Sequence, residues 1–186
     1  MSWKIDSTHT RALFSVRHMM ISNVHGQFEK MEGTVDFNPA DPASTLVDVR
    51  LDAASITTRE AKRDDHLRSP DFLDAEHYPY LHFKSTSIEL IDKEHARLTG
   101  DLTIRDVTRP LTLNVEYNGT NKNPWGMTAA GFSASGKINR HDWGLDWNVA
   151  LETGGWLVGD TINLNVELEI IQQPETVPAQ ESLATR

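Results

Sequence analysis

The residues best equipped for chemistry stand together in one charged run, Arg63-Asp64-Asp65-His66. Asp64 and His66 could act as an acid and a base, and Arg63 could meet an anionic group, provided that all three reach one reacting atom. The same residues also suit a salt-bridged, solvated helix face. A second run, Arg140-His141-Asp142, sets a cation, a base and an acid side by side. Adjacent residues of a strand point to opposite faces, so no triad is expected there. The eight histidines raise the question of a metal, because imidazole is a common zinc ligand. They include no H-x-x-x-H pair, and the chain has no cysteine to complete a Cys-His cluster. The sequence also lacks a nucleophile beside a base and a glycine-rich phosphate cradle. No catalytic residue, metal site or cofactor is therefore assigned.

Composition narrows the partners. The chain has 186 residues, enough for one domain with a sizeable core, and its net charge of -9 opposes binding to nucleic acid, which needs clustered Lys and Arg. No apolar run approaches the roughly 20 residues of a membrane helix. The first residues, Met1-Ser2-Trp3-Lys4-Ile5-Asp6, show no basic start followed by an apolar run. A cytoplasmic protein without a transmembrane segment is the expectation.

The element that must position Arg63, Asp64 and His66 spans Ile56 to Pro79. Thr57 and Glu60 have capping-box spacing, which predicts a helix starting near Thr58. Between Arg59 and Arg68 only Ala61 and Leu67 are apolar, so this helix has almost no stripe to bury. Ser69-Pro70 reads as a second N-cap, with Phe72 and Leu73 supplying the missing apolar contact and Pro79 ending the excursion.

The rest of the chain alternates apolar and polar residues, the pattern of strands with one buried face. Such runs centre on Phe14, Val24 to Phe28, Val35, Val49, Phe83, Leu102, Leu113, Ala134 and Val166. About eight or nine strands suit a sandwich or a closed barrel. Asn38-Pro39, Asp41-Pro42, Asp92-Lys93, Arg109-Pro110 and Asn118-Gly119 have turn chemistry. After Ile171 the alternation stops, and residues 172–186 read as a flexible tail. On the apolar faces Gly33, Gly100, Ala134 and Gly136 stand among Phe14, Phe28, Phe37, Phe83 and Phe132. Small residues among large ones leave a dry cavity, or else the glycines serve strand bending in a filled core.

Several of these pieces carry a family resemblance. The run Arg63-Asp64-x-His66-Leu67-x-Ser69-x-Asp71-Phe72-x-Asp74, then Tyr78-Pro79 and Phe83, resembles the signature of the YceI-like, polyisoprenoid-binding proteins. Phe14-Ser15-Val16-x-His18-Met19 and Gly26-x-Phe28 match before it, and Gly100-x-Leu102-Thr103-Ile104, Asn139-Arg140 and Gly144-Leu145 match after it. The resemblance implies an all-β, lipocalin-like antiparallel barrel over residues 1–171, with one helical insertion at about 56–79. It also implies an apolar interior that holds a polyisoprenoid or isoprenoid-quinone-like lipid. The residues expected to line that interior are Phe14, Val16, Phe28, Phe37, Phe72, Phe83, Gly100, Leu102, Phe132, Ala134 and Gly136. Arg63, Asp64 and His66 are expected as polar groups at the mouth or lid. Binding and carriage of the lipid is the preferred function. An enzyme acting on it and a filled barrel that binds a protein through Trp125, Trp143, Trp147 and Trp156 are the alternatives, and a homodimer is left open.

Overall fold

The computed structural model describes residues 3–173 and turns the alternating segments into eleven strands and one helix. The strands are β1 (Trp3–Ile5), β2 (Arg11–His18), β3 (Ser22–Phe28), β4 (Met31–Asp36), β5 (Leu46–Asp52) and β6 (Ile56–Thr57). After helix α1 (Ala61–Arg68) come β7 (Tyr80–Leu90), β8 (His95–Ile104), β9 (Val107–Lys122), β10 (Thr128–Asn139) and β11 (Val158–Gln172). Eight strands pair antiparallel in the order β1-β4-β5-β7-β8-β9-β10-β11, and β1 pairs back onto β11. This is a closed eight-stranded lipocalin-like barrel, and closure removes the exposed edges that an open sheet would present.

The length of β11 allows it two partners on one side. Its last residues, Ile170 to Gln172, take β1, whereas Val158 to Glu167 take β2. The β2–β3 hairpin and β6 thus extend the wall beside β1 and β4. No helix among the described residues is long and apolar enough to cross a membrane.

Four local expectations are corrected. Arg109-Pro110 is no turn: Pro110 lies within β9 opposite Asp101, at a level where β9 pairs only with β8, so the missing N–H breaks no ladder on the other side. The reversal falls instead at Arg105-Asp106, with Arg105 at a φ of 58°. Asn118-Gly119 is a bulge inside β9, because Gly131 faces Gly119 while the next residue, Phe132, faces Tyr117. The capping box also fails. Glu60 is itself the N-cap of α1, accepting from the backbone N–H groups of Lys62 and Arg63, and Ser69-Pro70 opens a series of turns and no second helix. The tail expected over 172–186 falls, from residue 174 on, outside the described residues.

Two hydrophobic clusters fill parts of the barrel. One joins Leu81, Phe83, Leu102, Ile104, Leu111 and Ile138 to Leu73 of the insertion and to Trp143 and Leu145 after β10. The other packs Trp3, Ile5, Val35, Phe37 and Ile170 where β1 closes the wall.

Candidate functional site

Between these clusters the barrel holds an apolar cavity of about 840 Å³. Phe14, Val16, Phe28, Phe83, Leu102, Phe132 and Ala134 line it, as the alternation of their strands requires, and so do Phe37, just past β4, and Phe72 of the insertion. Phe14, Val16, Phe28, Phe132 and Ala134 point inward yet are only half-buried, because part of their surface faces this space.

Gly100 and Gly136 do not line it. A Cβ at residue 100 would stand 2.5 Å from Cζ of Phe83, and one at residue 136 would stand 2.7 Å from Cδ2 of Leu113. The room left by these glycines is occupied by neighbouring side chains. Gly33 serves backbone approach instead, with a φ of +139° and the Asp48 carbonyl oxygen 2.2 Å from where a Cβ would lie.

The polar residues of the lining mark the two ends of the cavity. At one end Thr45, Asp92, Lys93, Glu94 and His95 border it, along with Pro39 and Pro42. Asp92 to His95 are also exposed, so the cavity meets solvent at the β7–β8 hairpin. Leu46, Leu90 and Ile91 add exposed apolar surface nearby. His95 Nδ1 lies 2.9 Å from both carboxylate oxygens of Asp92. That contact raises the imidazole pKa above its ordinary value. At the other end Leu67, Phe72 and Leu73 of the insertion form the floor, with Leu145 and Arg140.

Arg63, Asp64 and His66 belong to the floor's outer support, and none of them lines the cavity. Of the two places expected for them, mouth or lid, they stand on the insertion that closes this end, and they are not among the residues that face the cavity. Asp64 is buried and accepts from the Thr58 backbone N–H at 2.7 Å, from the Thr58 hydroxyl, and from the Thr57 hydroxyl at 3.1 Å. Burial alone would raise its pKa, but the hydrogen bonds from Thr58 and Thr57 and the nearby Arg68 charge outweigh that and hold it below the ordinary value. Arg63 donates from Nε to the Thr58 hydroxyl at 2.7 Å and from Nη2 to the Thr58 carbonyl at 3.1 Å. His66 Nε2 sits 2.8 Å from Asp71 Oδ2, and its ring packs edge-on against Phe72 and Trp147. Arg63 and Asp64 thus share Thr58 as a partner, and His66 is held by Asp71. A helix without an apolar stripe is docked by polar bonds instead.

The late tryptophans divide. Trp143 is buried and its indole N–H donates to the Leu102 carbonyl at 3.0 Å, and Trp147 packs on Phe72 and His66. Trp125 and Trp156 are exposed.

The model of the YceI-like domain matches residues 3–170. This chain belongs to the YceI-like family. Among relatives of the YceI-like chain, Protein YceI of Escherichia coli O157:H7 is 36% identical over 173 residues, covering 92% of this chain and 87% of its own. A UPF0312 protein of Pseudomonas syringae pv. tomato is 34% identical over 168 residues, covering 90% and 84%. Among solved structures, the Campylobacter jejuni YCEI protein superposes with a TM-score of 0.73 at 35% identity, over 85% of this chain and 90% of that one. A domain described as polyisoprenoid binding, from Saccharophagus degradans, has a TM-score of 0.67 at 12% identity, over 93% and 99%, and so shares the fold.

Two arginines shape this YceI-like site that sequence reasoning had not assigned to it. Arg68 donates from Nε to the Ala54 carbonyl at 2.8 Å and from Nη2 to the Ile56 carbonyl at 2.9 Å, tying the end of α1 to β6. Arg140 is buried in the floor of the cavity. The strand alternation that placed Arg140, His141 and Asp142 on opposite faces does not apply, because Arg140–Trp143 is a single 3-10 turn. His141 then faces outward, its two ring nitrogens 2.6 Å from Asp146 and 2.9 Å from Asp160. The sequence signal was an arginine and a histidine at a strand end, which does not distinguish a solvated pair from a buried one. A third group, Asp6, His9 and Glu169, brings three possible ligand atoms within 4.8 Å. His9 is exposed there, ion-paired to Asp6 within the β1–β2 turn, and its Nδ1 lies 3.8 Å from Glu169 Oε1, the contact that links the turn to β11.

Proposed function

We propose that this protein binds an isoprenoid or similarly shaped lipid in the barrel interior and carries or stores it chemically unchanged. The observation that carries this reading is the apolar cavity of about 840 Å³. It falls in the upper part of the roughly 300–1,000 Å³ range of small-molecule sites. Burying hydrocarbon contributes about 0.8 kcal/mol per methylene, so two isoprene units already supply several kcal/mol without any polar contact. The description of the Saccharophagus degradans domain as polyisoprenoid binding favours the same ligand class.

Carriage is preferred to turnover because the acid and the base read from the sequence, Asp64 and His66, are spent on hydrogen bonds outside the cavity. The test is native mass spectrometry of the purified protein, followed by incubation with a polyprenyl alcohol, its phosphate and a prenylated quinone and analysis of the recovered lipids. The expected result is a bound lipid recovered intact. A barrel that retains none of them would overturn the binding. Turnover that disappears when Asp64 and His66 are replaced by Asn and Gln would make the protein an enzyme.

A further inference from the structure

The two ends of the cavity meet solvent differently. At the insertion end the lining residues Ile56, Phe72, Leu73, Ile138 and Leu145 are buried. At the other end Pro39 and Leu90 line the cavity and are also exposed, so the apolar lining itself reaches the outer surface. The turn Pro42–Ser44 packs against β7, which brings the β4–β5 loop and the β7–β8 hairpin together around this opening. Beside it, outside the lining, stand Leu46, 62% exposed, and Ile91, 55% exposed. The β9–β10 hairpin turns at the same end, because successive hairpins of an antiparallel barrel alternate between its ends and the β8–β9 turn lies at the other. Its tip carries Trp125, 81% exposed, and the exposed Met127. Asn123 holds this tip, its Oδ1 accepting from the backbone N–H groups of Trp125 at 3.1 Å and Met127 at 2.9 Å. Exposed apolar side chains gathered at the opening of an apolar cavity mark an interaction face.

We propose that this open end is the face the protein sets against a bilayer of neutral, zwitterionic lipid, and that the cavity's lipid enters and leaves by direct contact there. This rests on the lipid-binding reading and adds the source of the ligand and its route. The occupant follows from continuity. A hydrocarbon chain that passes from a bilayer over Leu90 and Pro39 into the cavity stays in apolar surroundings and is spared the hydration of each methylene. A tryptophan, with an apolar body and a polar N–H, suits the boundary between hydrocarbon and water where Trp125 would stand. Charge decides which bilayer. Anionic lipid attracts surfaces rich in Lys and Arg. Among the described residues Lys93 is the one lysine or arginine of the lining at this end, Asp92 and Glu94 flank it, and His95 is already held on Asp92. Glu116 stands opposite His95. A second exposed apolar group, Met20, Ile21, Val149 and Trp156, lies beside the start of β11 at the insertion end, where the cavity is closed.

The experiment loads the full chain with geranylgeraniol and mixes it with phosphatidylcholine vesicles. The prenol left on the protein is followed in time by mass spectrometry after the vesicles are removed. Loss from the wild type should speed up in proportion to vesicle concentration, a measurement that requires no variant. A triple variant, Leu46→Ser, Ile91→Ser and Trp125→Ser, changes only exposed side chains outside the lining. It should transfer about tenfold more slowly, because three apolar side chains no longer enter the bilayer, and hold the prenol with unchanged affinity. Met20→Ser with Trp156→Ser, at the insertion end, should transfer at the wild-type rate, and adding phosphatidylglycerol to the vesicles should not speed the wild type. A rate independent of vesicle concentration, an unchanged rate in the triple variant, slower transfer in the insertion-end pair than in the triple variant, or acceleration by phosphatidylglycerol would each overturn the docking face while the lipid-binding reading stands. A wild-type chain that takes up no geranylgeraniol would overturn both.

Discussion

Phe83 lies across Gly100 so closely that a Cβ there would stand 2.5 Å from the ring's Cζ and 2.5 Å from the Lys84 carbonyl oxygen. The ring can shift but the carbonyl belongs to the β7 backbone. Gly100→Ala should therefore destabilise the barrel by about 1–3 kcal/mol, the usual scale of overpacking. Urea unfolding measures this. An unchanged midpoint would mean that the strands relax freely around residue 100.

Ala134 faces the cavity with nothing comparable over it, so enlarging it should consume ligand space without disturbing the fold. Ala134→Leu should keep the native circular dichroism and weaken lipid binding at least about tenfold, since the added methylenes displace ligand hydrocarbon worth about 0.8 kcal/mol per methylene. Gly136→Leu should do the opposite, losing stability first, because the new side chain meets Leu113 and the Thr112 backbone. Equal binding by wild type and Ala134→Leu would show that the ligand lies elsewhere.

Phe72 anchors the insertion, being 8% exposed and in ring contact with both His66 and Trp147. Phe72→Ala should cost about 3–5 kcal/mol. Calorimetric unfolding would detect it, and a change near zero would show that the insertion is not part of the cooperative unit.

Asp64 supports stability through its ionised form. Its folded pKa lies below the ordinary 3.8, so this contribution is present above that value and is lost as pH falls through the lower folded value. Asp64→Asn should cost about 1.5–3 kcal/mol at neutral pH, the range for hydrogen bonds to a charged group. Below the folded pKa the difference between the two proteins should shrink. Stability curves recorded from pH 7 to pH 2 would test both statements, and parallel curves would refute the second.

His141 titrates in the opposite sense. Its contacts with Asp146 first and Asp160 second raise its pKa above 6.5, so its contribution is fully present below about 6.5 and is lost as pH rises through the raised value. A neutral imidazole has one N–H and cannot donate to both carboxylates. Nuclear magnetic resonance titration should place His141 above the ordinary value, and Asp146→Asn should lower it. A titration at the ordinary value in the wild type would show that the two contacts do not persist in solution.

Alternation along each strand is a local property, since residues two apart share a face, and it suffices to read nine of the eleven strands and the phenylalanines that face inward from them; it left a sandwich and a closed barrel open, and the barrel was implied only by the family resemblance. The charged run from Arg63 to Arg68 likewise announced a helix that could not be held by apolar packing. What Gly100 and Gly136 do was not readable, because their space is filled by Phe83 and Leu113 from neighbouring strands, and an unfilled position has the same sequence signature. Pro110 and Asn118-Gly119 carry turn chemistry, yet the tertiary pairing of β9 with β8 and β10 absorbs one at an unpaired level and the other as a bulge. The polarity of the barrel was also decided only in three dimensions. Arg63 and Asp64 find their partners in residues 57 and 58 and so turn away from the cavity. Arg140 is drawn into the floor by carbonyls of residues 145, 147 and 159, acceptors whose positions depend on how the chain returns from β10 to β11.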